Sequence, residues 1–197
     1  MTFIYLHGFN SKGKPTSTKL QDLGKLGDVI TLDYNSFAPY EEILEYLEVN
    51  VEKELMNHPY GEVTIVGTSL GAYWAATLSG IFGVPAILMN PAIRPSKTLQ
   101  KHVGVTLKNF VSREVNTLSE DIPKSYPDLP KKGILMIMID EGDKVLDPQK
   151  TQKYFTDYGP ILFKRGSHRF EHMQEALPDI RKFLNQIILI GDGSIDY

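Results

Sequence analysis

Apolar residues along the chain gather in short unbroken runs: Thr2 to Leu6 (TFIYL), Asp28 to Leu32 (DVITL), Val63 to Val66 (VTIV), Pro85 to Met89 (PAILM), Gly133 to Ile139 (GILMIMI) and the shorter Ile161 to Phe163. Unbroken runs of this length mark strands covered on both faces, as in a parallel sheet. Between them the spacing changes to three and four residues. In Tyr40 to Asn57, Ile43, Leu44, Leu47, Val51 and Leu55 form an apolar stripe among glutamates, which predicts an amphipathic helix. Ala72 to Ile81 also reads as a helix, as does Glu171 to Leu184, which Pro178 should bend or split. Lys12 to Thr18 reads as loop. Strands alternating with helices predict an α/β architecture with a mostly parallel, doubly wound sheet flanked by helices.

The pattern fades between residues 91 and 132, a polar stretch broken by Pro91, Pro95, Pro123, Pro127 and Pro130. It is too long for a plain loop, so short helices forming a small cap or insertion are expected there. Its apolar residues Leu99, Val103, Val105, Leu107, Phe110 and Val111 are expected mainly to pack, with capacity to shelter a modest acyl chain. Residues 1–197 are expected to form one domain, and the tail from Ile187 to Tyr197 has no assigned place.

Composition narrows the chemistry. With 42% hydrophobic and 23% charged residues the chain is of ordinary globular type. A net charge of −3 gives no basic surface for nucleic acid or anionic membrane. There is no cysteine, which excludes disulfides, thiolate metal sites and a cysteine nucleophile. No membrane span and no signal peptide are read in the sequence, and a cytoplasmic location is expected.

Val63 to Trp74 carries the clearest motif, Gly67-Thr68-Ser69-Leu70-Gly71, set between a strand pattern and a helix pattern. A nucleophilic serine on a sharp strand-to-helix turn needs glycine two positions to either side, where a side chain would meet the neighbouring elements. The turn also puts Ser69 at a helix N-terminus, with the Leu70 N–H facing the position where an attacked carbonyl becomes negative.

A serine hydroxyl needs a general base. His102, His168 and His172 follow Ser69 in the chain. His168, in a loop between the last strand and the last helix, is placed to reach the C-terminal edge of the sheet. His172 is expected to face solvent or pack. The acid should follow GILMIMI. Asp143 is favoured there, in a turn eased by Gly142 with Val145 packing beneath it, ahead of Asp147 and Asp140.

These landmarks resemble the α/β-hydrolase superfamily, and most closely the small YqiA-like esterases of the UPF0227 type. The resemblance rests on IYLHGFNS (Ile4 to Ser11), GTSLGAYWA (Gly67 to Ala75), EGDKVLD (Glu141 to Asp147) and GSHRF (Gly166 to Phe170), and spans residues 3 to about 184. The group's common SLGG differs here at Ala72. The resemblance implies Ser69 as nucleophile, Asp143 as acid and His168 as base, with an oxyanion hole from the backbone N–H groups of Phe9 and Leu70. No cofactor and no metal are implied.

The stretch Gly8 to Lys14 also matches seven of the eight positions of a phosphate-binding loop. Pro15 stands where a magnesium-binding hydroxyl is required, and it has no N–H to offer. As a hydrolase loop the same stretch is coherent. Gly8 allows close backbone approach, Phe9 and Asn10 meet the substrate, and His7 holds the turn. The expected activity is hydrolysis of a small-molecule ester or thioester through an acyl-enzyme. The alternatives are a binding module on the same fold or an acyltransferase.

Overall fold

The computed structural model describes residues 1–59 and 61–191, with the side chains of 188–191 excepted. The end of the tail, 192–197, lies outside them.

Six parallel strands form the main sheet: β1 (Thr2–Leu6), β2 (Asp28–Leu32), β3 (Val63–Thr68), β4 (Pro85–Met89), β7 (Ile134–Asp140) and β8 (Ile161–Phe163). Their order is β2-β1-β3-β4-β7-β8. In register, Leu6 pairs with Gly67 and Thr68 with Met89, so β1, β3 and β4 end together. Strand side chains alternate between the two faces. Ile4, Leu6, Ile65, Leu88 and Ile137 join one apolar core, beneath α2 (Tyr40–Asn57) and α3 (Leu70–Phe82). Phe3, Tyr5, Val66, Ile87 and Met138 join the other, beneath α1 (Thr18–Leu23) and α7 (Met173–Gly191). The all-parallel sheet with helices on both faces agrees with the pattern of unbroken apolar runs.

Two short helices break the expected pattern. α1 lies in residues to which the sequence reading assigns no element beyond the loop ending at Thr18, and α6 (Pro148–Tyr154) is capped by Asp147, whose carboxylate accepts from the N–H groups of Gln149 and Lys150. Both span too few turns to show a periodic stripe. Pro178 does not split α7. It is the sixth residue of the helix, which continues through it.

The excursion from β4 to β7 holds α4 (Pro95–Thr98), a hairpin of β5 (Thr106–Lys108) and β6 (Val115–Thr117), and α5 (Asp121–Ser125). Short helices are present as expected, and the hairpin is an element that the sequence reading did not include. Asn109 anchors it: its Nδ2 donates to Asn35 Oδ1 at 2.8 Å while its Oδ1 accepts from Val111 N and Ser112 N. The apolar residues there divide. Leu99 is buried, whereas Val105 and Phe110 are exposed.

Candidate active site

The turn from β3 to α3 has one strained residue. Ser69 adopts φ 59°, ψ −118°, a sparsely populated region for a side-chain-bearing residue. The surroundings force it there. Its N–H donates to Met89 O at 3.0 Å, and its carbonyl accepts from Ala92 N at 3.1 Å, so β4 and the residues just after it hold both sides of the peptide. The flanking glycines are sterically required. A Cβ on Gly67 would lie 2.1 Å from Gly71 O, and one on Gly71 would lie 2.1 Å from Leu6 O.

Ser69 Oγ lies 2.9 Å from His168 Nε2, and His168 Nδ1 lies 2.8 Å from Asp143 Oδ2. The ionised carboxylate only accepts, so Nδ1 carries the proton and Nε2 accepts from the serine hydroxyl. Asp143 is itself held. Its Oδ1 accepts from Val145 N at 2.7 Å and Leu146 N at 3.0 Å, and its side chain is buried. Asp147, the alternative acid, instead caps α6, and its hydrogen bonds with Lys150 lower its pKa. Val145 does not pack under the loop. It is 48% exposed and lines the cleft.

Asp140 and His172 have a task that the sequence reading does not assign. Asp140 is fully buried at the end of β7. Its Oδ2 accepts from Ser167 N at 3.0 Å and Glu171 N at 2.9 Å, the two ends of the loop carrying His168. His172 Nδ1 donates to its Oδ1 at 2.7 Å, with the ring stacked on Phe163. Gly166, at φ 69°, leaves room for this carboxylate, since a Cβ there would lie 2.1 Å from Asp140 Oδ2. Asn90 completes the support, donating to Ser167 O and accepting from Asp140 N. The one signal in the sequence is the pair itself, an aspartate at a strand end and a second histidine four residues after the first.

His7 is buried in the turn after β1, as expected. Its Nδ1 donates to Gly8 O at 2.8 Å and its Nε2 accepts from Tyr34 N at 3.2 Å, which fixes the neutral tautomer. Burial lowers its pKa. Gly8 follows beside the serine, its position for a Cβ 3.3 Å from Ser69 Cβ. Phe9 stacks on His102, at 4.9 Å between ring centroids, and Asn10 N donates to Ser36 Oγ at 2.8 Å. The phosphate-loop match has a different use here. Gly13 N donates to the Asp33 carboxylate at 2.6 Å, a partner that would repel phosphate.

The model of UPF0227, described as an uncharacterised protein family, matches residues 2–185. The chain belongs to the UPF0227 family. Relatives include UPF0227 proteins from Shewanella sp. (strain MR-7), 26% identical over 192 residues covering 91% of this chain and 97% of the relative, and from Vibrio cholerae serotype O1, 24% identical over the same shares. Solved structures share the fold. Est1E from Butyrivibrio proteoclasticus has a TM-score of 0.68 at 15% identity, with 95% of this chain and 88% of that one covered. The monoacylglycerol lipase of Paleococcus ferrophilus has a TM-score of 0.65 at 14% identity, with 94% of each covered. The fold of this UPF0227 member is that of the α/β-hydrolases.

A cleft of about 920 Å³ opens over Ser69 and His168. Phe9, Asn10, Leu70, Leu107 and Phe110 line it, so the loop after β1 and the hairpin both contribute to its wall. His102 and Lys19 are among the lining residues that the sequence reading does not place at the site. His102 reads there only as part of the cap region, and Lys19 lies on the short helix that shows no pattern. Among the described residues no cluster of three or more His, Asp or Glu is arranged to hold a metal, and no helix is long and apolar enough to cross a membrane.

Proposed function

We propose that this protein is a serine hydrolase of small carboxylic esters or thioesters. The observation that carries the reading is the unbroken relay from Ser69 Oγ through His168 to Asp143, at 2.9 and 2.8 Å, on an α/β-hydrolase fold. Ser69 attacks the substrate carbonyl as His168 Nε2 takes its proton. Asp143 keeps Nδ1–H in place and stabilises the imidazolium. The N–H groups of Phe9 and Leu70 receive the oxyanion, each donor worth about 3 kcal/mol of barrier in such sites. His168 then protonates the leaving group. Water, activated by the same histidine, releases the acid from the acyl-enzyme. The excursion over residues 91–132 acts as a cap, and its apolar Leu107 and Phe110 receive the substrate together with Phe9 and Asn10.

The test compares wild type with Ser69→Ala on p-nitrophenyl esters of graded acyl length, with both shown folded by circular dichroism. Hydrolysis and fluorophosphonate labelling should be present in wild type and absent from the variant. Equal rates in the two would remove Ser69 from the mechanism. A folded wild type that neither hydrolyses nor labels would favour a binding module.

A further inference from the structure

Among the cleft cations without a carboxylate partner in the described residues, Lys19 is the one held beside the relay. Lys19 Nζ donates to Thr68 Oγ1 at 2.9 Å and to Arg169 O at 2.8 Å. Thr68 precedes the serine and Arg169 follows the histidine, so the ammonium is fixed between the chain neighbours of nucleophile and base. It also lies 5.5 Å from the centre of the Tyr5 ring. No Asp or Glu oxygen among the described residues lies within salt-bridge distance of it. An ammonium has three donors, and two are taken by neutral oxygens. No third acceptor for it is found among the described residues.

The rest of the cleft repeats the sign. Lys12, Lys14, Lys101 and Arg169 line it along with Lys19. Its acidic residues are Asp22 and Glu171, both already engaged. Asp22 pairs with Lys25 at 2.6 Å, and Glu171 accepts from Ser167 Oγ at 2.6 Å. Five cations against two carboxylates leave an excess of three positive charges, in a chain whose net charge is −3. Such a cleft attracts anions and concentrates them at its mouth.

Resting on the esterase reading, we propose that Lys19 is a specificity residue that selects esters carrying a carboxylate a few bonds from the scissile carbonyl. One carboxylate oxygen is enough to take the remaining Lys19 donor in a charge-assisted hydrogen bond. The bonds from Lys19 to the chain neighbours of Ser69 and His168 keep that carboxylate near the reacting bond. Withdrawal from water lowers the Lys19 pKa to about 8, so the ammonium remains mostly charged at neutral pH.

The experiment measures kcat/KM at pH 7 for matched ester pairs in wild type, Lys19→Met and Lys19→Arg. One pair is mono-p-nitrophenyl adipate against p-nitrophenyl hexanoate, with the carboxylate on the acyl side. The other is 4-(butanoyloxy)benzoate against 4-(butanoyloxy)benzamide, with it on the alcohol side. In at least one pair, Lys19→Met should lower the charged-to-neutral ratio about 10- to 100-fold, the worth of one charge-assisted hydrogen bond. Lys19→Arg should retain most of the ratio. Were Lys19 only a tie between Thr68 and Arg169, Lys19→Met would slow both esters of a pair alike and leave the ratios unmoved, which overturns the proposal. Hydrolysis of neutral esters alone, at ratios insensitive to Lys19, sinks the carboxylate preference and leaves the esterase reading standing. A wild type that neither hydrolyses any of the four nor labels with fluorophosphonate removes both.

Discussion

His172 Nδ1 donates to Asp140 Oδ1 at 2.7 Å, and this second aspartate–histidine pair lies behind the loop that carries His168. The carboxylate also accepts two backbone N–H groups from that loop. An amide in its place keeps only one acceptor oxygen, so its N–H₂ group must face either the two backbone N–H groups or the N–H of His172. Asp140→Asn should therefore lose about 3 kcal/mol or more of stability, as breaking a buried charged network does. It should also lower kcat, because His168 is no longer held. Urea unfolding followed by circular dichroism checks the first effect, and an unchanged midpoint would show that Asp140 is not the organiser of the loop.

Asp143→Asn addresses the relay itself. The amide does not require the Nδ1–H tautomer, and the imidazolium loses its counter-charge. A fall in kcat of about 10³- to 10⁴-fold is expected, on the scale known for such triads. A loss below tenfold would mean that another group orients His168.

Ser69→Gly separates strain from chemistry. Glycine adopts φ 59° freely, so the variant should be inactive yet more stable by about 1 kcal/mol. Thermal unfolding of the two proteins decides it. A less stable variant would show that the serine side chain supports the turn by more than the turn strains it.

His7 makes stability depend on pH. Burial lowers its pKa in the folded protein below the ordinary 6.5. The unfolded chain then binds the proton more readily. Its contribution is whole above about pH 6.5 and declines as pH falls toward the folded value. Between pH 7 and 5 the stability of wild type should fall more steeply than that of His7→Gln. Parallel slopes in chemical denaturation at several pH values would contradict this.

Much of this was legible in local spacing. Unbroken apolar runs announce strands buried on both faces, and the glycines around Ser69 announce a turn with no room for Cβ atoms. Short elements were not legible. α1 and the β5–β6 hairpin are too brief to establish a period, and the cleft residues Lys19 and His102 lie on or beside such elements. Of the three candidate acids after GILMIMI the sequence favoured Asp143 and gave the other two no use of their own, and they proved to have three separate uses: Asp143 faces His168, Asp147 caps α6, and Asp140 binds the histidine loop.

The sequence by itself determined the order of the six main strands and the three long helices, the sharp turn at Ser69 and the set of residues from which a relay is drawn. These follow from interactions between residues a few positions apart, where backbone sterics and periodicity act. Which aspartate meets which histidine was decided only by the tertiary structure. So was the place of Lys19 beside Thr68 and Arg169. Residues 69, 143 and 168 meet because parallel strands in the order β3-β4-β7-β8 end side by side. That neighbourhood is created by packing over long chain separations, and no local pattern encodes it.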